Sequence, residues 1–341
     1  MTKSMQLLPE WAEQASVLLA WPHASTDWHP WLNAIEQDYI ALACAIATEV
    51  PPLILCQDEA HRVHIQALLQ DRCQHKPTLV VSPYNDTWCR DYGPITLGDG
   101  SHRTVLDFCF NGWGDKYDAE LDNRINQRLS KHWLVPLQSV DFELEGGSIE
   151  TDGCGTLLTT EHCLLDSNRN THMNREQIEA LVLEKLGLNR TLWLSEGALF
   201  GDDTDSHIDN LARFSDAETI IYAVCADKND PHHQPLSAME KQLEGFTQPD
   251  GRPYKLEPIN IPSPQFDENN KRLPGSYINF LILNNSVIMP VFGCEADAVA
   301  KTTLQRCFPG KTIITVPGNN LIRQYGGPHC ATMQLPKGII R

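Results

Sequence analysis

No stretch of this sequence is long and apolar enough to span a bilayer, and its first residues, MTKSMQLLPEWAEQ, lack the apolar core of a secretion signal. These two absences set a cytoplasmic expectation. Among its eleven cysteines no Cys-x-x-Cys pair occurs, which removes the usual frame of a structural zinc site. Their odd count and irregular spacing argue for reduced thiols rather than a disulfide framework. Positive charge is scarce as well: 27 Lys and Arg against 44 Asp and Glu leave a net charge of −17. Such a field repels nucleic acid and anionic membranes and draws cationic ligands, although a solvated acidic surface gives the same total.

What is present is an ordinary globular composition of 341 residues, 41% apolar and 21% charged. Apolar strand-like runs (SVLLAW, PLILC, TLVVSP, GTLLTT, TIIYAVCA, INFLILNNSVIMPVFG, KTIITVPG) recur through the chain. Between them lie helix-like stretches at Leu32 to Thr48, Glu59 to Gln70, Asp118 to His132, Arg175 to Leu186 and Ala296 to Cys307. Asn174 with Gln177 has the form of a capping box, and DAELDNRINQRLSKHWL runs from acidic to basic as a helix dipole prefers. The alternation predicts an α/β protein. The stretch from Asp227 to Gln265 reads as a loop holding one short helix, an excursion within a single domain covering residues 1–341. Segments around Trp21, Asp91, Glu145, His207, Asn279 and Cys330 stand roughly 50–70 residues apart, the length of a supersecondary repeat.

Four of these segments combine chemistry with a turn. TWCRDYGP places Arg90 and Asp91 at a strand end, either as a turn held by their ion pair or as ligand contacts. FELEGGSIETDG sets Glu145 before a double glycine, where its carboxylate either orients a histidine or faces solvent at a bulge. In GALFGDDTDSHIDNLARF, His207 and Asp209 alternate, so an extended backbone projects them to one side. Asp202, Asp203 and Asp205 precede them without the glycine and terminal glutamate of an EF-hand. A Gly-Gly-Pro bend in RQYGGPHCATMQLP delivers His329 and Cys330. A lone cysteine is more often buried and inert than catalytic. The approach loop, and a histidine with a nearby carboxylate elsewhere, raise Cys330 to a candidate nucleophile. His329 is expected to point away from Cys330 and to be structural.

Taken together and in order, LPEWAEQASVLLAWPHASTDW, TWCRDYGP, FNGWGDKYDAELD, EGGSIETDG, HIDN, SYINFLI and GGPHC resemble the agmatine deiminase and bacterial-type peptidyl-arginine deiminase family over nearly the whole chain. The resemblance implies a fivefold pseudosymmetric α/β propeller of repeated ββαβ modules around a central site. It implies Cys330 as the nucleophile on a guanidinium carbon, His207 as general acid and base, and Glu145 as the carboxylate orienting His207. Asp91 and Asp209 would grip the guanidinium nitrogens, with neither metal nor organic cofactor required. Trp88, Trp113 and Tyr92 are candidate pocket walls, or simple packing, and Asp202, Asp203 or Asp205 would meet a distal ammonium. The expected substrate is a small cationic guanidine, first agmatine, then peptidyl-arginine or free arginine. No nucleic-acid or membrane partner is expected, and a homodimer is possible. The rival readings are a cysteine hydrolase of acyl groups, a non-catalytic polyamine binder, and a metal-binding protein using His207, Asp209, His329 and Cys330.

Overall fold

The computed structural model describes residues 5–340, so both ends of the expected 1–341 domain lie outside the described residues. The fold is mixed α/β, with five sheets of three or four strands and one two-stranded hairpin among the described residues. Each of the five sheets repeats one connection: an antiparallel pair, a crossover, then a parallel strand. Ile95–Gly98, Arg103–Cys109 and Leu137–Glu143 form one such set. Glu150–Thr151, Thr156–Thr160 and Arg190–Leu194 form the next. Ala212–Asp216, Thr219–Val224 and Lys255–Asn260 follow, then Leu281–Ile282, Ser286–Val291 and Thr312–Pro317. The fifth set joins the two ends of the chain: Thr332–Pro336 pairs antiparallel with Gln14–Ala20, which pairs parallel with Pro52–Cys56.

Four of the five crossovers carry a helix of twelve or more residues, because a parallel partner cannot be reached by a tight turn. Leu32–Ile46 buries Ile35, Tyr39, Leu42 and Ile46, a stripe at helical spacing laid against the sheets. Arg175–Leu186 begins at the expected capping box of Asn174 and Gln177 and stops at Gly187, which takes the left-handed conformation (φ 64°) of a helix C-terminus. Asp58 caps Glu59–Leu69 by accepting from the His61 amide at 2.8 Å.

Two expectations fail. The Asp118 to His132 helix is broken into short turns at Asp122–Arg124, Ile125–Arg128 and Ser130–His132. Side chains there serve distant backbone instead: Asp122 accepts from the amides of Asn85 and Asp86, and Asn126 donates to the Tyr92 carbonyl and Asp107. The Asp227 to Gln265 stretch is more ordered than a loop. It holds a twelve-residue helix, His233–Glu244, and the strand Lys255–Asn260 that completes its sheet.

The repeat decides where the chemistry falls. Cys330, Asp91, Glu145, His207 with Asp209, and Asn279 each lie in the segment leading into the first strand of a set. Five separate strand starts therefore bring one or two polar side chains each to a common place.

Candidate active site

Asp91 sits in a single helical turn, Cys89–Tyr92, and Glu145 heads the turn Gly146–Ser148 directly after a strand. His207 precedes the turn Ile208–Asn210, so His207 and Asp209 converge from a tight turn, not from the extended backbone expected. Gly147 shows how closely these groups approach. A Cβ built on it would lie 2.6 Å from His207 Nδ1, 2.8 Å from Asp91 Oδ1 and 3.2 Å from Asp209 Oδ2. Three polar atoms thus surround the space over one glycine. Cys330 Sγ stands 3.4 Å from the same Asp209 Oδ2.

All five groups are buried, so their charges are set by one another. Burial opposes ionisation of Glu145, but His207 Nε2 at 2.7 Å and Arg169 Nε at 2.8 Å hold its carboxyl down at about 2. Burial likewise opposes a charged His207, yet Asp91 and the bond to Glu145 keep it well above the usual imidazole range. It is therefore a cation at neutral pH. Burial pushes Asp91 up to about 6, with Asp209 and Glu145 adding to the rise and His207 opposing it. Its oxygens accept from Trp113 Nε1 and the Gly147 amide, both at 2.9 Å. Burial also acts against Asp209, but His329 at 2.8 Å keeps it below the ordinary carboxylate range. The Cys330 thiol is pushed well up by burial and by the charges of Asp209 and Asp91. The unliganded site therefore holds a protonated thiol beside two carboxylates, an arrangement that a cation would reverse.

Cys330 and Asp91 border a cavity of ≈ 470 Å³, partly open to solvent. Trp88 and Trp113 are among its walls, with Tyr117 and Tyr325. Trp113 holds its position through a positive φ of 59° and its bond to Asp91. Asp27, Asp86 and Asp203 add acid, and among the described residues no Lys or Arg borders the space.

Several expectations need correcting. Asp205 does not border the cavity: its carboxylate is taken by Lys116 Nζ at 2.9 Å and Arg169 Nη1 at 2.8 Å, which ties its loop to Glu145. Asp202 is likewise turned inward, accepting from the amides of Thr204 and Ser206. Tyr92 is no wall residue either, since its hydroxyl donates to the Asp86 carbonyl. Arg90 is not paired with Asp91 but donates to the His329 carbonyl and to Gln334. His329 does not point away from Cys330. Both side chains reach Asp209 Oδ2, because Gly327 to Thr332 is a hydrogen-bonded turn, not a strand.

Sequence reasoning passed over several partners. Asn279 Nδ2 donates to Cys330 Sγ at 3.0 Å and to Asp209 at 3.1 Å, while its Oδ1 accepts from the His329 and Cys330 amides. Its sequence signals were the repeat spacing and its place in SYINFLI, neither of which gave it a role. Glu10, which braces His329, stood in LPEWAEQ with no role assigned, and Arg169, which braces Glu145, lay in none of the motifs.

Among the described residues, two sets have ligand atoms close enough to share a metal: Glu145, Cys163 and His207, and Glu10, Glu150 and His329. An arginine already occupies the carboxylates of each, Arg169 in the first and Arg213 in the second, so a dication there would face a buried guanidinium. The set of the rival metal-binding reading, His207 with Asp209, His329 and Cys330, is not one of the two.

The profile of the family described as Porphyromonas-type peptidyl-arginine deiminase matches residues 6–336. An agmatine deiminase of Stutzerimonas stutzeri is 33% identical, over 97% of this chain and 95% of that protein. The solved structure of a putative arginine deiminase from Porphyromonas gingivalis superposes with a TM-score of 0.93 at 42% identity, covering 99% of this chain and 100% of the other. A C. jejuni agmatine deiminase carrying a Cys-to-Ser substitution, with substrate bound, superposes with a TM-score of 0.92 at 36% identity, covering 99% and 98%.

Proposed function

The chain belongs to the Porphyromonas-type peptidyl-arginine deiminase family, and from that kinship we propose that it hydrolyses agmatine to N-carbamoylputrescine and ammonia through a covalent adduct on Cys330. It is a hydrolase of guanidine C–N bonds. The observation that carries the finer reading is the ring of Asp91, His207 and Asp209 around the space over Gly147, with Cys330 beside it. A guanidinium is planar and cationic, and two carboxylates can bind its N–H edges while turning its carbon toward sulfur.

Arrival of the cation offsets the charges of Asp91 and Asp209 that oppose thiol ionisation, so Cys330 loses its proton to solvent. The thiolate attacks the guanidinium carbon and gives a tetrahedral adduct. Cationic His207 then donates a proton to one nitrogen, the C–N bond breaks and ammonia leaves. An amidino-thioether on Cys330 remains. His207, now neutral, takes a proton from water as the water oxygen attacks the same carbon. The C–S bond breaks, the ureido product leaves with its carbonyl, and its hydroxyl proton passes to solvent. Glu145 stabilises the imidazolium at both ends of this cycle.

The wall favours a substrate with a second cation. Asp27, Asp86 and Asp203 border the cavity, whereas a carboxylate end group would find no Lys or Arg there among the described residues. The same reading places the catalytic unit in one domain whose five repeated sheets form the pseudosymmetric propeller, with each site loop leading into one blade. With no disulfide among the described residues, the cysteines suit a reducing cytoplasm.

Ammonia release measured side by side with agmatine, free arginine and an arginine peptide tests the proposal. Agmatine should give the highest kcat/KM. Preference for the peptide would overturn the substrate and keep the chemistry; ammonia release from none of the three would overturn both.

A further inference from the structure

Behind Asp209 lies a chain of charges that never borders the substrate cavity. His329 is 1% exposed and lies between two carboxylates, with Nδ1 2.8 Å from Asp209 Oδ2 and Nε2 2.6 Å from Glu10 Oε2. A ring so placed fills both contacts with a hydrogen on each nitrogen. Glu10 is fixed in turn: Oε1 accepts from the Ile282 amide at 2.7 Å, and Oε2 is shared with Arg213. Arg213 is itself locked by Glu150, by the Phe280 carbonyl and by the Phe280 ring 4.5 Å away. Glu10, Arg90 and His329 border a separate cavity of ≈ 510 Å³, also partly open to solvent.

We infer that Glu10 and His329 are positioning residues for the deimination: Glu10 fixes the His329 ring, and that ring holds the Asp209 carboxylate oriented for guanidinium capture. The inference rests on the reading of Asp209 as half of the clamp. Oδ2 of Asp209 is committed to His329, to Asn279 at 3.1 Å and to Cys330 at 3.4 Å. Its Oδ1 is buried and has no hydrogen-bond partner among the described residues, so it is the oxygen left for an incoming N–H. Without the His329 donor the carboxylate is free to turn, and a buried negative charge loses its nearest hydrogen-bonded imidazole. Asp91 has no hydrogen-bonded imidazole among the described residues: its donors, the Trp113 indole and the Gly147 amide, are neutral, and His207 Nδ1 stands farther off, at 3.6 Å. The two halves of the clamp are therefore held unequally: Asp209 by a hydrogen-bonded imidazole, Asp91 by neutral donors.

Agmatine binding is best measured calorimetrically in a Cys330→Ala background, where turnover is blocked. Glu10→Gln keeps the size and one acceptor of the side chain but removes its charge. It should weaken binding by about 10-fold or more, the scale of one charge-assisted hydrogen bond. With Asp209→Asn already present, adding Glu10→Gln should cost less than about twofold, because its effect passes through Asp209. Equal, additive weakening in both backgrounds would mark a merely structural role and overturn the inference, as would unchanged affinity. A second readout needs no substrate. Two slowly exchanging His329 ring protons should appear far downfield in the proton NMR spectrum, vanish in His329→Gln and shift in Glu10→Gln; their absence from the parent protein would also overturn it. Failure of agmatine to bind Cys330→Ala with Glu10 intact would instead sink the substrate reading, and the NMR signals would still decide the role of His329.

Discussion

Gly147→Ala adds one methyl group to the protein at the centre of the site. The backbone there needs no glycine for its own sake, since Gly147 is not among the glycines with positive φ. The amide that donates to Asp91 is also kept. What changes is space. The new Cβ would stand 2.6 Å from His207 Nδ1 and 2.8 Å from Asp91 Oδ1, where ordinary contact begins at 3.4 Å. Both groups must move by roughly 0.6–0.8 Å, and a displacement on the order of 1 Å costs a reaction about 100-fold. With the acid and half the clamp displaced together, and the methyl standing where the guanidinium would bind, kcat/KM for agmatine should fall by at least about 1,000-fold. Overpacking costs about 1–3 kcal/mol, which a domain of ordinary stability survives. A coupled ammonia assay beside circular dichroism and a urea melt separates the two effects. A folded variant with kcat/KM within about tenfold of the parent would refute the placement of the substrate over Gly147.

Asp91, held at about 6, should give kcat/KM an acidic limb: as pH falls through about 6 its carboxyl protonates and the clamp loses charge. Trp113→Phe removes the indole donor at 2.9 Å and should move that limb to higher pH, read from rate profiles between acid and neutral pH. Arg169→Met leaves Glu145 buried with His207 as its only remaining charged partner; urea melts should show a loss of about 3–5 kcal/mol, with kcat falling as His207 loses its fixed orienter. Asp209→Asn keeps the shape of the clamp and removes half its charge, so ammonia release should drop by at least about 100-fold, and normal turnover would remove Asp209 from the clamp.

The sequence was most legible where local signals and the repeat agreed. Pro52–Cys56 and Arg175–Leu186 were foreseen to the residue, one from an unbroken apolar run and the other from its capping box. The site loops could be read because each sets a rare polar group just before a strand, at the spacing of one sheet, and those of Asp91, Glu145 and Cys330 set it close to Gly or Pro. What escaped was decided by distant partners. Nothing within Asp118 to His132 tells that Asp122 and Asn126 will serve the backbone of residues 85, 86 and 92, so the charge pattern alone suggested one helix. Lys255–Asn260 is half exposed and carries a proline, which hid a strand that needs only its neighbour Thr219–Val224 to form. Asp205 and Asp203 look alike in sequence, and Lys116 reaches both; the Arg169 guanidinium, 2.8 Å from Asp205, separates a loop tie from a cavity wall. Glu10 stands in a short turn with no neighbouring chemistry, and its role depends on His329 and Arg213, both far along the chain.

The central claim is that the reaction runs through sulfur at Cys330. Rapid acid quench of the enzyme turning over agmatine, followed by peptide mass mapping, tests it most directly. The account predicts an adduct with the mass of the substrate less one ammonia on the Cys330 peptide, and neither adduct nor turnover in a folded Cys330→Ala variant. Ammonia released at the parent rate by Cys330→Ala, or an adduct on another cysteine, would contradict it.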